Sequence, residues 1–446
     1  MRIKRCLAMG LMICLLVFQA FAEEKALKIF GKDAAGDLEN ELFAQRYPEV
    51  GWEGSEHLGV MEASDLMTVL LTKEAYDLYA IPYAACNFES IAAKKFALDV
   101  SADPAIQELC GRMYPFVQDA LTAQGAIYGI PIGLTCNHWG YSPDVWLMVR
   151  EVFPGELPRT YEELFAFMAW WIDEGQYAFS QIPLLRNAPD HKLTIAQNLT
   201  NHLLDVVWKY QSPDLLTDPS VIRMYELLEN LRLDQLQPYL GSDGGSEASC
   251  LFDVSLDWMD LSEYAEETVY LPMPLAFDAQ TPAQIPVDMR LFFVNPGSER
   301  KQEAINYVSC FLEGRDDRFA ITVYDTPHEP IINQRLIPVL EAKRRELASL
   351  ESAQDADSAM RAEALSMEIS ALEQRQWLVS EERIEGYERL TPLFFIRPYH
   401  PLTLRNDGRG SKMYSDVQSF VQGGMKGEEL LRSIAGIVSM MRQENE

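Results

Sequence analysis

The sequence predicts a mixed α/β protein built on mainly parallel strands, and three observations carry that prediction. Short apolar runs with strand character alternate with amphipathic helical runs from Leu27 onward. Hydrophobic residues make up 48% of the 446 positions, enough for a substantial core. Beyond the N-terminal segment, no apolar run is long enough to span a bilayer. Alternating strands and helices favour a sheet with helices laid over it, because a parallel neighbour is reached only through a crossover.

The N-terminus is set aside from the fold. Arg2, Lys4 and Arg5 precede an apolar run from Leu7 to Phe18, and Ala20-Phe21-Ala22 supplies the small residues a signal peptidase accepts. Residues 1–22 are expected to be a signal peptide cleaved after Ala22. The mature chain is expected to be secreted, or periplasmic where the source has an outer membrane. Cys14 follows Ile13 inside the apolar run and Cys6 lies among basic residues, so no lipobox is read.

Five cysteines follow the leader, Cys86, Cys110, Cys136, Cys250 and Cys310, with no C-x-x-C spacing for zinc or dithiol exchange. They are expected to be small buried apolar side chains, with one disulfide possible. The net charge of −29 grows more negative when the leader's three basic residues leave. A chain this acidic repels nucleic acid and anionic lipid. The length allows two or three domains of roughly 150 residues each.

Along the chain, Leu27–Phe30 reads as a strand, followed by Gly31-Lys32-Asp33-Ala34-Ala35-Gly36 and a helix through Leu38, Leu42 and Phe43. His57–Glu62 reads as a strand, Ser64 caps a helix through Leu66, Val69 and Leu70, and Asp77–Ile81 is a strand again. Ligands of such sheets sit at the carboxyl ends of strands, which directs attention to the loops at Gly31 and Pro82. Ile127–Ile132 is strand-like but punctuated by glycine and proline. Thr160 with Glu163 forms a capping box ahead of Leu164, Phe167, Met168 and Trp171 on one helical face. Leu193–Leu240 is mostly helical, and Gly241–Ser246 is a loop without the Lys-Ser/Thr of a phosphate-binding motif. Met289–Val294 reads as a strand, Asn295-Pro296-Gly297 as a turn, and Ser298 as the start of a helix that Gly314 stops. From Val339 to Glu385 there is no glycine or proline at all. Ile337, Leu340, Leu347 and Leu350, then Leu365, Ile369 and Leu372, are spaced for an antiparallel coiled-coil hairpin, or equally for an ordinary pair of surface helices.

"PEVGWEG", "YDLYAI", "GAIYGIPIG", "YSPDVW", "PRTYEELF", "YLPMPL" and "LFFVNPGSERKQEAINYV" occur in that order. In order and spacing the set resembles the extracellular solute-binding proteins of ABC importers, the group similar to maltose-binding protein. The resemblance implies a two-lobe periplasmic-binding-protein-like fold of type II with strands crossing between lobes as hinges. It places lobe 1 at 23–137 plus 291–330 and lobe 2 at 138–290 plus 331–446. A helical hairpin at 336–380 is an insertion as in some Firmicutes members. The glycines and Pro131 let the chain bend where it crosses, with return crossings near Asp288–Arg290 and Tyr324–Asn333. The implied mechanism is closure of the lobes around a small solute, an oligosaccharide by default, and delivery to an ABC permease. No bond is made or broken, so no enzyme activity, cofactor or metal is implied, and a monomer is expected.

The resemblance also nominates ligand-binding residues, on the reasoning that a sugar offers an apolar face to aromatics and hydroxyls to polar groups. Lys32 and Asp33 lie in the first loop, and Tyr83 and Asn87 follow the "DLYAI" strand. Thr135 lies on the crossing strand, with Asn137 and Trp139 on the same alternate side; His138 faces the other way as a structural hydrogen-bonder. Trp258 and Tyr414 match stacking aromatics, and Arg290 lies at the return crossing, to serve ligand or to pin the hinge through Asp288. The loop after "DLYAI" departs from sugar-binding relatives, carrying Pro82-Tyr83-Ala84-Ala85-Cys86 in place of an acidic and basic pair.

Two other functions compete. A secreted glycoside hydrolase needs two carboxylates flanking one bond, which sequence spacing does not display, and no nucleophile signature is present. An adaptor using the helical hairpin to engage a partner is the second. Asp355-Ala356-Asp357 begins like a calcium loop but lacks its later glycine and glutamate.

Overall fold

The computed structural model describes residues 26–31, 37–54, 70, 76–84, 86–186, 191–236, 250–261, 270–352, 356–374, 376–399 and 408–445. The leader, the strand expected at His57–Glu62, most of the helix expected from Ser64 and the Gly241–Ser246 loop lie outside them. The chain divides into two compact units: Met1–Leu134, Asp288–Thr326 and Ile396–His400 form the first, and Thr135–Val287, Pro327–Phe395 and Pro401–Glu446 the second. These passages fall a few residues earlier than the sequence placed them, and the return of Ile396–His400 to the first unit was not foreseen.

The main sheet runs in the order Phe394–Ile396, Ile285–Val294, Leu78–Pro82, Leu27–Phe30, Trp52–Gly54, with Ile130–Thr135 also paired to Ile285–Val294. Leu27–Phe30 is parallel to both its neighbours, with Ile29 opposite Leu78 and Leu27 opposite Trp52. Ile285–Val294 runs antiparallel to Leu78–Pro82, with Val294 opposite Leu78 and Arg290 opposite Pro82. Leu78, Tyr79, Ala80 and Ile81 are all buried, as a central strand covered on both faces requires.

Asp77 closes the amino end of this strand: its carboxylate accepts from the Lys28 amide at 2.8 Å and from the Ser298 hydroxyl at 2.5 Å. That ties the Asn295–Ser298 turn to the sheet; the next helix is Lys301–Glu313, starting three residues later than the sequence suggested, with Gly314 as its C-cap. At the carboxyl end of Leu27–Phe30, Gly31 takes φ +78°, and a Cβ there would stand 2.6 Å from the Ala80 carbonyl oxygen. Only glycine lets the two strand ends approach so closely.

The second unit centres on a three-stranded antiparallel sheet in the order Phe252–Asp257, Asn137–Tyr141, Leu271–Pro272. The capping box forms: Thr160 Oγ1 accepts from the Glu163 amide at 3.1 Å, and Glu163 accepts from the Thr160 amide at 3.2 Å. The helix Tyr161–Trp170 that it starts buries Leu164, Phe167 and Met168 in a core shared with His191–Lys209, Pro219–Asn230 and Gly427–Asn445. Ile337–Ser352 and Ala356–Gln374 pack on one another through Leu340, Leu365 and Ile369, with Lys343–Glu368 and Arg344–Glu373 ion pairs at 2.6 Å each. The five cysteines among the described residues are buried and no disulfide links them; burial pushes the Cys86 and Cys110 thiols up to about 12. None of the described helices is long and apolar enough to cross a membrane.

Gly31→Ala is expected to lower unfolding stability by about 2 kcal/mol, from the left-handed backbone and the carbonyl contact together. Gly133, where an added Cβ meets nothing within 4 Å, is the control. Urea midpoints should fall for Gly31→Ala and hold for Gly133→Ala.

Candidate functional site

In the first unit, the carboxyl end of Leu78–Pro82 brings several of the nominated residues together. The Tyr83 amide donates to the Met289 carbonyl at 2.8 Å, and Arg290 is the register partner of Pro82. Tyr83 is not available to stack on a ligand as expected. It is buried, its hydroxyl donates to Glu89 at 3.1 Å, and burial raises its pKa, with the Glu89 charge adding to the effect. Asn87 is likewise a structural residue. It sits at φ 45° and caps the helix Phe88–Ala93 by accepting from the Ser90 amide at 3.2 Å. Arg290 is exposed, as a ligand contact requires, but it does not pin the hinge through Asp288. Asp288 pairs instead with Arg397 at 2.6 Å. Lys32 and Asp33 lie outside the described residues.

In the second unit, Thr135 and Asn137 are exposed while Cys136 between them is buried, the alternation a strand edge gives. Asn137 is opposite Asp257, whose carboxylate accepts from the Cys136 amide at 3.2 Å and the Met259 amide at 3.0 Å. The alternation then breaks. The register shifts between His138 and Gly140, and Trp139 is buried edge-on to Phe252 at 6.4 Å within the helical core. The residues after Asn137 are packed into the helical core, so period two does not carry past the register shift. Trp258 is buried too; its ring nitrogen donates to the Trp139 carbonyl at 3.1 Å and its ring lies 5.4 Å from His138. Both tryptophans are core residues of this unit rather than exposed stacking platforms. Tyr414 is exposed on the helix Gly408–Val421, next to the buried Met413.

His138 is the hydrogen-bonder the sequence suggested. Its Nδ1 accepts from the Trp139 amide at 2.8 Å, so its proton is on Nε2, which lies 3.3 Å from His202 Nδ1. The Tyr161 hydroxyl reaches the same His202 nitrogen at 2.8 Å, leaving His202 Nε2 to donate to the Gln284 carbonyl at 2.5 Å. This buried chain locks the strand after the first passage to the segment before the second.

Two features escaped the sequence reading. Arg397 and Tyr399 lie on the unforeseen Ile396–His400 passage; only "FFIRPY", a strand-like run broken by proline, hinted at it. A cavity of about 870 Å³ lies wholly in the second unit, walled by Tyr141, Trp146 and Met273 and edged by Arg150, Arg159 and Asp278. The Thr281 hydroxyl holds the Asp278 carboxyl below its usual range. None of the nominated residues lines this cavity.

No family model and no curated protein matches the sequence. Solved structures do. A cyclo/maltodextrin-binding protein complexed with maltotetraose is 13% identical, covering 94% of this chain and 97% of its own at a TM-score of 0.52. The chain carries the solute-binding-protein fold. A family 1 extracellular solute-binding protein from Bifidobacterium longum subsp. infantis is 12% identical, covering 93% and 99%, at 0.52. UgpB from Mycobacterium tuberculosis, in complex with glycerophosphocholine, is 11% identical, covering 94% and 99%, at 0.55. Identities this low establish a shared solute-binding-protein architecture and leave the solute to chemistry.

Trp139→Ala should cost about 3–5 kcal/mol, the loss for a buried large aromatic. Asn137→Ala, on an exposed strand position, should stay within about 0.5 kcal/mol of the parent. Equilibrium unfolding in urea separates the two.

Proposed function

We propose that this protein is an extracytoplasmic solute-binding protein of an ABC importer that captures a small solute, an oligosaccharide by default, and delivers it to a membrane permease. The observation that carries the reading is the likeness to solute-binding proteins over nearly the whole of both chains. Carbohydrate is favoured because one of these proteins holds maltotetraose, while UgpB holds glycerophosphocholine. Capture works by differential affinity: a solute that contacts both lobes in one arrangement stabilises that arrangement, and the permease distinguishes it from the others. Binding and release suffice, and no bond is broken.

The ligand groups on this reading are the exposed polar side chains, Thr135, Asn137 and Arg290, with Lys32 and Asp33 from the first loop and Tyr414 as the accessible aromatic. Thr and Asn offer donors and acceptors to hydroxyls, and the guanidinium of Arg290 offers a planar fork. Tyr83, Asn87, Trp139 and Trp258 support the site from within their own units.

A thermal-shift panel of maltooligosaccharides, xylooligosaccharides, polyols and glycerophosphodiesters tests the reading. A true solute at about one hundred times its Kd should add about 2.7 kcal/mol and raise Tm by about 3 °C, with no product formed. Turnover of the saccharide would point to the hydrolase instead. Asn137→Ala and Arg290→Ala should each weaken binding about tenfold, the loss of one hydrogen bond, with the apo Tm unchanged.

A further inference from the structure

The cavity of about 870 Å³ in the second unit takes no part in the proposed solute contacts, and two prolines account for it. Leu271–Pro272 is an edge strand of the three-stranded sheet among the described residues. The Met273 amide donates to the Trp139 carbonyl at 2.9 Å, so by alternation the backbone at Pro272 and Pro274 turns away from Asn137–Tyr141. Proline has no N–H, so a neighbouring segment cannot complete a ladder along that edge. Pairing resumes at Ala276, whose amide donates to the Arg159 carbonyl at 2.9 Å and whose carbonyl accepts from the Tyr161 amide at 3.1 Å. The cavity lies beside the stretch left unpaired, lined by Pro158, Pro272 and Pro274.

Two half-buried aromatics, Tyr141 and Trp146, also line it. Phe153 packs edge-on to the Trp146 ring at 6.2 Å. Neither the Tyr141 hydroxyl nor the Trp146 indole nitrogen has a hydrogen-bond partner among the described residues, and burial raises the Tyr141 pKa. The Arg150 guanidinium is 3.8 Å from Glu151, too far for a hydrogen bond. Three donors therefore stand at the cavity with their bonds unspent, and the Pro272 and Pro274 carbonyls add acceptors. The charges at the edge are of both signs: Arg150 and Arg159 face Glu156, Glu163 and Asp278, and Arg159 is already paired with Glu156 at 3.1 Å. A field so nearly balanced selects no ion.

We propose that this cavity is a second ligand site, for a neutral polyhydroxylated ring compound of about disaccharide size. Such a ring lays its C–H face on an aromatic side chain while its hydroxyls accept from Tyr141, Trp146 and Arg150 and donate to the proline carbonyls. The volume falls in the roughly 300–1,000 Å³ range of small-molecule sites. A wholly apolar ligand would strip water from three donors and replace none of it. All the lining residues belong to the second unit, so occupancy demands no particular arrangement of the two units and does not depend on the solute reading.

Isothermal titration of the full chain with maltose, cellobiose and lactose tests the site, run in parallel on the parent and on Asn137→Ala/Arg290→Ala. At least one of the three should bind saturably in both, with a millimolar or tighter Kd, and glucosamine and glucuronate should bind more weakly. Tyr141→Phe and Arg150→Met, each made in the Asn137→Ala/Arg290→Ala chain, should weaken this binding about fivefold to tenfold, the loss of one hydrogen bond. Tm should hold in both, because neither side chain hydrogen-bonds to a described residue. Binding that disappears in Asn137→Ala/Arg290→Ala belongs to the proposed solute site alone and overturns the second site. Absence of binding by all three sugars, binding unchanged by Tyr141→Phe and Arg150→Met, or tighter binding of a charged sugar overturns it as well. Failure of the solute reading shows separately, as binding that Asn137→Ala/Arg290→Ala leaves wholly unchanged.

Discussion

The need to pair the backbone of one long strand governs the rest of the architecture. Ile285–Val294 has ten residues, and all but Asp288 and Arg290 are buried. Every amide and carbonyl on it requires a partner, because an unpaired backbone group in such surroundings costs as much as a lost hydrogen bond. Leu78–Pro82, Ile130–Thr135 and Phe394–Ile396 supply those partners. The strand also contributes to both units, Ile285–Val287 to the second and Asp288–Val294 to the first. Its two less buried positions are consecutive on one face, and they carry charge. Asp288 is neutralised by Arg397, and Arg290 is left exposed on the same side.

The second unit spends its aromatics on stability. Trp139, Trp258, Tyr161 and Phe252 are all buried, and the two tryptophans are joined by an indole-to-carbonyl hydrogen bond. What this leaves at the surface near the first passage is polar and small, Thr135 and Asn137. The His138–His202–Gln284 chain, joined at His202 by the Tyr161 hydroxyl, keeps that strand in place.

Fold likeness and ligand identity separate here. Proteins of one architecture bind maltotetraose in one case and glycerophosphocholine in another, so the scaffold positions a site without choosing its chemistry.

Local pattern was enough for the sequence to determine the mixed α/β class, the Leu27–Phe30 and Leu78–Pro82 strands, the Thr160–Glu163 cap and the Leu340/Leu365/Ile369 seam, because each depends on residues close in the chain or on a repeating period. Burial was not legible in the same way. Trp139 stands two places after Asn137 yet lies past a register shift and is packed in a core of helices distant in the chain, and Tyr83 is claimed by a glutamate six residues later. The partner of Asp288 was misplaced for a related reason: Arg290 is near in sequence, but Arg397 arrives on a passage whose only sign was a short run ending in proline. Which side chains face solvent, and which charges meet, is decided when distant segments pack, and only the tertiary structure contains that information.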